Sequence, residues 1–288
     1  IQFFDLVDES GEIQVVFKKE QLPVTNYQLL ELLDIGDFID VQGEVFKTQA
    51  GEVSILALDF QLLSKSIRPL PSAWYGLKDA EERFRRRYLD FIFNPEVKEK
   101  IKTRTKIVKY LRRFLDEKGF WEIETPILET DASGAAARPF VTHINAYDID
   151  LYLRICIGEL WQKRLLVGGF DKTYEIGRAF RNEGVDFQHN PEFTMLEYYW
   201  GYADYEDNMR LHEELFSSLV KDLNGGYKIT CNKQEIDFTP PFKRLTYKDA
   251  LKEYTGLDLD KFPTKELFAL EMKKRGLAVD PKSGRGKL

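Results

Sequence analysis

The chain has 288 residues, enough for one large domain or two unequal ones, and its 43% hydrophobic and 31% charged residues exclude a disordered or collagen-like protein. The sequence has no run of about 18 apolar residues that could span a bilayer, and its N-terminus lacks a signal-peptide pattern, so we expect a cytoplasmic protein. Two cysteines and three histidines support neither a disulfide framework nor a structural zinc site. The formal charge of −6 argues against non-specific coating of nucleic acid or membranes.

Residues 1–63 carry two hairpin signals. Alternating apolar positions flank a DESGE turn at residues 8–12, and a second alternating pair flanks QAGE at residues 49–52. A short amphipathic helix at about residues 27–33 lies between them. Strands at this spacing are typical of an OB-fold barrel, which commonly binds single-stranded nucleic acid. A small barrel without a ligand fits the pattern equally well.

Two prolines and a glycine within residues 67–80 indicate a linker between two domains, at residues 1–66 and 81–288. The clearest helix follows: Asn94 and Pro95 supply its N-cap and first residue, and Gly119 ends it. The remaining predicted elements are an extended run at 120–128 that Pro126 interrupts, a strand at 151–155, a helix at 159–167, a pair of antiparallel strands at 172–184 and 193–205, and helices at 206–222 and 264–275.

Two stretches are densely basic, RFRRRY at residues 83–88 and KEKIKTRTK at residues 98–106. From charge alone, a solvated helix face explains both better than an RNA contact does.

The densest set of chemical groups lies in FRNEGVDFQHNPEFTMLEYY, residues 180–199. Arginine suits bidentate recognition of phosphate or carboxylate, and a phenylalanine can stack on a planar base. If the strands alternate, Arg181 and Glu183 share a face, as do Glu197 and Tyr199, which would give one pocket a cationic end and an anionic end. Each residue singly fits a strand-face salt bridge, whereas the set favours a functional site. Its polar members are Arg181, Glu183, His189, Asn190, Glu192 and Glu197.

The sequence resembles the class II lysyl-tRNA synthetases over essentially its whole length. GFWEIETPIL (119–128) resembles their motif 1, through which these enzymes dimerise, and FRNEG…HNPEFTMLE (180–197) resembles the lysyl form of motif 2. GAAARPF (134–140) and RPLP (68–71) are two further family signatures. The resemblance implies an α+β fold, with a partial N-terminal OB-fold β-barrel for anticodon binding followed by a class II antiparallel-sheet catalytic domain, truncated at its C-terminus.

The resemblance also implies roles for single residues. Arg181 would be the catalytic residue, holding the α-phosphate of ATP and the lysine carboxylate. The other ATP contacts would be Glu183 and Asn190 at the adenine and ribose end, His189 at the outer phosphates, and Phe193 stacked on adenine.

For lysine itself, the resemblance implies that the Gly134 backbone and the Glu159 carboxylate hold the α-amino group, with Glu197 and Tyr199 near the ε-ammonium. Such a pocket needs buried acceptors, because an unpaired buried charge costs several kcal/mol. In the barrel, Phe3, Gln14 and Glu52 match positions that contact the central uridine of the lysine anticodon.

Two departures from the family pattern stand out. CIGEL (156–160) replaces the usual APEL-like run, with one extra residue and no proline before the glutamate. Motif 3 and the carboxylates that hold magnesium have no match, so the chain offers no metal ligands, and we expect these elements beyond Leu288. Both ends look cut, and we expect residues 1–288 alone not to activate lysine.

The expected function is a lysine-tRNA ligase that uses ATP and Mg²⁺ to form lysyl-adenylate and transfers the lysyl group to its tRNA. We expect a homodimer built on residues 96–128 and no membrane association. A protein-lysylating paralogue is the first alternative, but such proteins lack the barrel of residues 1–63. A catalytically silent RNA-binding relative is the second, and the intact set of Arg181, Glu183, His189 and Glu197 argues against it.

Overall fold

The structure, a computed structural model, describes residues 1–70 and 77–287. The chain divides into two compact units, residues 1–102 and 103–288. The predicted domain boundaries at residues 66 and 80 stay a prediction, and the part of the linker at residues 71–76, with Pro71 of RPLP, lies outside the described residues.

Both predicted hairpins of the first unit are confirmed. Its elements are β1 (Gln2–Val7), β2 (Glu12–Phe17), α1 (Val24–Leu29), β3 (Phe38–Lys47), β4 (Val53–Ser64), α2 (Ala80–Arg85), α3 (Arg87–Phe93) and the start of α4 (Pro95–Glu117). The sheet has the order β1-β2-β4-β3, with antiparallel pairing inside each hairpin and parallel pairing between β2 and β4. Its hydrophobic core contains Val15, Phe17, Leu22, Leu30, Ala57 and Phe60.

The helix between the hairpins begins earlier than the predicted residue 27. It starts directly after Pro23 and closes in a 3-10 turn at Leu30–Leu32. Pro23 is the N-cap, with ψ of 140°, and its carbonyl accepts from the Tyr27 amide at 3.0 Å, the first hydrogen bond of the helix.

The basic stretch at residues 83–88 is a salt-bridged helix face. Arg85 pairs with Glu81 at 2.7 Å and Arg86 with Glu82 at 2.9 Å. Arg83 and Arg87 both bind the fully buried carboxylate of Asp90. All four arginines therefore have acidic partners within the chain, which favours the interpretation as a helix face over an RNA contact.

The second unit contains the end of α4 and a three-stranded sheet. Its further elements are β5 (Trp121–Glu122), β6 (Leu128–Glu129), β7 (Val141–Ile144), β8 (Ile149–Leu153), α5 (Glu159–Val167), β9 (Lys172–Phe180), β10 (Glu192–Trp200), α6 (Tyr205–Asn224), β11 (Lys228–Cys231), β12 (Gln234–Asp237), α7 (Tyr247–Thr255) and α8 (Lys265–Lys274). The sheet β10-β9-β5 pairs β9 with β10 in antiparallel fashion, as predicted. The helix at 159–167 is confirmed to the residue, whereas α7, β7, β11 and β12 were not predicted.

The extended run at 120–128 forms strands only near its ends, at Trp121–Glu122 and from Leu128. Pro126 lies between them and has no N–H to donate to a ladder. The predicted strand at 151–155 is also shifted, because β8 ends at Leu153 and the next residues form a buried turn.

One face of the β9–β10 pair is covered by the core of the second unit. Tyr174 on β9 is fully buried among side chains of α4 and α6, including Leu115, Leu211 and Leu215. Because strand side chains alternate, the residues at odd positions of both strands lie on the other face.

Within the described part of the chain, no helix has the length and apolarity needed to cross a membrane.

Candidate functional site

The other face of β9–β10 carries the predicted ammonium contacts. Glu197 on β10 lies opposite Glu175 on β9, and Tyr199 lies opposite Thr173. The Tyr199 hydroxyl donates to Glu197 Oε1 at 2.8 Å, which confirms that these two residues share a face. Burial, together with this hydrogen bond, raises the pKa of Tyr199. The phenol therefore stays protonated and keeps donating to the carboxylate.

Residues 154–158, here called the buried turn, connect the predicted groups of the site. All five residues are buried. The Ile157 amide donates to Glu197 Oε2 at 3.1 Å, and Arg181 Nε donates to the Ile155 carbonyl at 3.3 Å. One short segment thus fixes the predicted carboxylate and the predicted arginine together.

The buried turn also brings Gly134 against Glu159. Gly134 has φ of +89°, and a Cβ built on it would lie 2.1 Å from Cys156 Sγ and 2.5 Å from Glu159 Oε2. Only glycine fits such a position without moving its neighbours. The Cys156 thiol donates to the Ser133 carbonyl at 3.2 Å. The structure therefore brings together the two groups predicted to hold an α-amino group.

The buried turn ends in a left-handed glycine. Gly158 has φ of +54°, and a Cβ there would lie 2.2 Å from Thr125 Oγ1. It is the N-cap of α5, so Glu159 is the first helical residue. Glu159 Oε1 is paired with Lys163 at 2.5 Å, one helical turn later. In this structure Glu159 therefore lies against Gly134, within one helical turn of Lys163.

A buried ion pair connects Arg154, the first residue of the buried turn, to Glu175 on β9. Arg154 Nη1 lies 2.6 Å from Glu175 Oε1, and both side chains are almost fully buried. Thr125 donates its hydroxyl to Glu175 Oε2 at 2.6 Å, and Arg154 Nε donates to the Arg178 carbonyl at 2.8 Å. Each charge is therefore compensated by a partner and by further hydrogen bonds, as buried ions require.

The expectation that Arg181 and Glu183 share a strand face is wrong. β9 ends at Phe180, and both residues lie in the following loop. Arg181 remains attached to the hairpin, because its amide donates to the Pro191 carbonyl at 2.9 Å, whereas Glu183 accepts from the Arg138 amide at 3.2 Å. The loop leaves the ladder to meet the segment that contains Arg138, which strand alternation cannot foresee.

Arg181 lies beside the predicted stacking residue. Its guanidinium is 5.2 Å from the centroid of the Phe193 ring. His189 pairs with Asp186 at 2.8 Å in the exposed loop, and Asn190 is exposed beside it. The structure therefore joins Arg181 to Phe193, while the contacts of Glu183 and His189 are with Arg138 and Asp186.

Three carboxyl groups, of Glu129, Glu159 and Glu197, lie around Cys156, and Lys163 pairs with Glu159. Burial raises the pKa of this thiol, and the charges of Glu197, Glu129 and Glu159 raise it further, although the Glu159 amide lowers it. Glu129 Oε2 is buried without a hydrogen-bond partner, and burial raises the pKa of its carboxyl. Three carboxylates close to one apolar thiol favour a cationic ligand.

The predicted anticodon residues lie in the first unit. Phe3 on β1 is 60% exposed, and Gln14 on β2 accepts from Ser54 Oγ at 3.0 Å. The register pairs Phe3 with Val16 and Asp5 with Gln14, so Phe3 and Gln14 share a face of adjacent strands. Glu52 is not part of a strand but lies in the turn directly before β4, where its amide donates to Thr48 Oγ1 at 3.0 Å.

Sequence reasoning missed Lys163, Cys156 and Gln162. Lys163 follows Glu159 by four residues on a predicted helix, and that spacing was a usable signal for the ion pair. Cys156 and Gln162 carried no signal, because Cys156 bonds to the distant Ser133 and Gln162 to the Thr173 side chain on a strand and to the Ile157 carbonyl in an irregular turn.

Two family models match the chain. The model described as tRNA synthetases class II (D, K and N) matches residues 79–278, and the model described as OB-fold nucleic acid binding domain matches residues 1–63.

Among curated proteins, similar chains are named lysine-tRNA ligase. That of Dehalococcoides mccartyi is 51% identical over 288 residues, which is 100% of this chain and 58% of the relative. That of Thermoanaerobacter pseudethanolicus is 54% identical over 282 residues, covering 98% and 56%. That of Moorella thermoacetica is 49% identical over 286 residues, covering 99% and 58%. The chain thus spans little more than half the length of the curated relatives it matches.

The two family models agree with what the structure places in each unit. An antiparallel hairpin with Arg181 at its end and an acidic pocket on one face lies within the first match, and a small barrel-type sheet lies within the second. The chain belongs to the class II tRNA synthetases of the D, K and N group, with an OB-fold nucleic acid binding domain at its N-terminus.

Proposed function

We propose that the protein carrying this chain is a lysine-tRNA ligase, which activates L-lysine with ATP and transfers it to the 3′ end of its tRNA. The observation that carries this proposal is the group of carboxylates on the site face of β9–β10, where Glu197 is oriented by Tyr199 and by the Ile157 amide. Aspartate and asparagine carry no side-chain ammonium for these acceptors to pair. A site built around half-buried acceptors would therefore discriminate in favour of lysine.

In the proposed reaction, the lysine carboxylate attacks the α-phosphate of ATP in line, and pyrophosphate leaves. This chain binds and orients the reactants, and it needs no protein nucleophile. Arg181 would neutralise both the attacking carboxylate and the α-phosphate, because a guanidinium can donate to two oxyanions at once. Its Nε bond to the Ile155 carbonyl holds one side of the guanidinium, which leaves the other nitrogens for substrate.

Substrate lysine would lie between the two acidic ends of the pocket. Glu159 and the Gly134 backbone would hold its α-amino group, and Glu197 with Tyr199 would face its ε-ammonium. Lys163 already pairs with Glu159, so the substrate's ammonium would share or displace that cation. For the nucleotide, adenine stacked on Phe193 would bring the phosphates toward Arg181, with Glu183, Asn190 and His189 around it.

Magnesium is the metal that the family resemblance implies. Across residues 1–70 and 77–287, no group of three or more His, Cys, Asp or Glu side chains could hold a metal ion. The residues present do not fit a complete magnesium site, and no step of the proposed reaction is derived through the metal.

The OB-fold domain supports tRNA as the second substrate. A protein-lysylating paralogue without a barrel would not match the OB-fold model over residues 1–63. We also propose the homodimer through residues 96–128 and the cytoplasmic location, where tRNA is charged.

The test of this function is exchange of labelled pyrophosphate into ATP by the complete gene product. We expect exchange that depends on L-lysine, with none above background for L-aspartate or L-asparagine, because the three amino acids of the group differ in side-chain charge. Exchange supported by aspartate or asparagine, or by no amino acid at all, would contradict the proposal.

Phe3→Ala should weaken charging of the lysine tRNA without changing lysine-dependent pyrophosphate exchange. Loss of a stacked base costs about 1–3 kcal/mol, so the KM for tRNA should rise by about 5- to 150-fold. Val7→Ala, an exposed apolar residue at the end of the same strand, is the matched control and should leave charging intact. Equal charging by the Phe3 variant and the parent protein would remove the sheet face from the proposed tRNA contact.

A further inference from the structure

Gln162 is a fully buried polar residue on α5 that the proposed reaction does not use. None of its surface is exposed, although it lies on a helix whose neighbouring residues Leu160 and Trp161 are exposed. A buried carboxamide costs free energy unless its hydrogen bonds are made. Its partners show which part of the fold depends on it.

The carboxamide of Gln162 connects three elements. Its Nε2 donates to the Ile157 carbonyl at 3.0 Å and, over a longer 3.4 Å, to the Glu197 carbonyl. Its Oε1 accepts from Thr173 Oγ1 at 3.1 Å. The side chain therefore ties the buried turn to both strands of the β9–β10 hairpin.

The bond to Ile157 is the one that reaches the ligand pocket. The carbonyl of Ile157 accepts from Gln162, while its amide donates to Glu197 Oε2 at 3.1 Å. Gln162 also bonds to the backbone of Glu197 itself. The side chain and the backbone of Glu197 are thus both held relative to the same carboxamide.

The buried turn contains a glycine, Gly158, with φ of +54°. Glycine widens the backbone conformations open to a turn. The hydrogen bond from Gln162 to the Ile157 carbonyl, directly before this glycine, restricts the turn to one of them.

We propose that Gln162 is a positioning residue for lysine recognition: by bracing the buried turn at Ile157 and the backbone of Glu197, it holds the Glu197 carboxylate toward the substrate ammonium. This inference rests on the proposed function. It predicts an effect on lysine affinity that is separate from the effect on folding.

The test compares Gln162→Met with Thr173→Val in the complete gene product. Methionine keeps the length of the side chain and removes the bonds from Nε2 to the Ile157 and Glu197 carbonyls. Thr173→Val removes only the bond that Gln162 Oε1 accepts, and it is the matched control. Each change leaves buried polar groups unpaired, so both variants should lose thermal stability.

Only Gln162→Met should raise the KM for lysine in pyrophosphate exchange, by about tenfold, which corresponds to roughly one hydrogen bond. The KM for ATP should stay nearly unchanged, and Thr173→Val should change neither KM. If Gln162→Met does not fold, the double variant Gln162→Met, Thr173→Val serves in its place. It removes both side chains of the Gln162–Thr173 hydrogen bond and so leaves no unpaired threonine hydroxyl.

A folded Gln162 variant with the parent's lysine KM would overturn the inference, as would an equal rise in the lysine KM of Thr173→Val. Failure of the proposed function gives a different result, because the parent protein itself would then show no lysine-dependent exchange.

Discussion

Replacing Glu197 with glutamine should raise the KM for lysine by about a hundredfold, since hydrogen bonds to a charged group are worth about 1.5–3 kcal/mol. Glutamine keeps the shape of the side chain, and its amide oxygen can still accept from Tyr199 or from the Ile157 amide. The change therefore removes charge with little loss of packing. The measurement is lysine-dependent pyrophosphate exchange at varied lysine and at varied ATP.

The same substitution at Glu192 is the matched control for Glu197→Gln. Glu192 begins the same strand, and its half-exposed carboxylate lies 3.4 Å from Arg178. Glu192→Gln should leave the lysine KM unchanged, because an exposed ion pair contributes little. If Glu197→Gln raised the KM for ATP as much as the KM for lysine, Glu197 would not be the ammonium contact.

Replacing Arg181 with alanine should reduce kcat for pyrophosphate exchange by about a hundred- to a thousandfold, the range measured when one donor to a developing charge is removed. Arg181 is held by the Ile155 carbonyl and lies against Phe193, so it is positioned before substrate arrives. Its loss removes the only charge that this proposal assigns to the attacked phosphate. The cost should appear in kcat more than in the lysine KM.

Arg178→Ala is the control for Arg181→Ala. Arg178 lies on β9, three residues before Arg181, and its half-exposed side chain pairs with Glu192. Its substitution should leave kcat nearly unchanged. Arg181→Lys should recover only part of the activity, because an ammonium lacks the planar pair of donors. Full activity of Arg181→Ala would remove Arg181 from the reaction.

The structure also separates the functional charges from the supporting ones. Glu175 and Glu197 face each other across β9 and β10, yet Glu175 is bound to Arg154 while Glu197 accepts only uncharged donors among the contacts described above. A carboxylate with a buried arginine partner stabilises the fold, whereas a carboxylate held by an amide and a phenol keeps its charge for a ligand. Strand periodicity alone does not distinguish the two glutamates, because both lie at odd positions of predicted strands.

The sequence by itself determined the type of most elements and the chemistry of the site. The hairpins around residues 8–12 and 49–52, the helix at 159–167 and the antiparallel β9–β10 pair follow from turn residues and from periods of 2 and 3.6, which are local properties of the chain. The same periodicity placed Glu197 and Tyr199 on one strand face. The motifs around Arg181 indicated the family that the comparisons then established.

Only the tertiary structure decided how these groups are held. Gln162 meets Thr173, and Cys156 meets Ser133 and Gly134, through contacts that depend on strand register and on the path of each turn. The loop after Phe180 turns toward Arg138 because backbone groups there pair with it, and no period in the sequence encodes that path. Local patterns fix which face a side chain takes, whereas its partner comes from residues far along the chain and is set only when the elements dock.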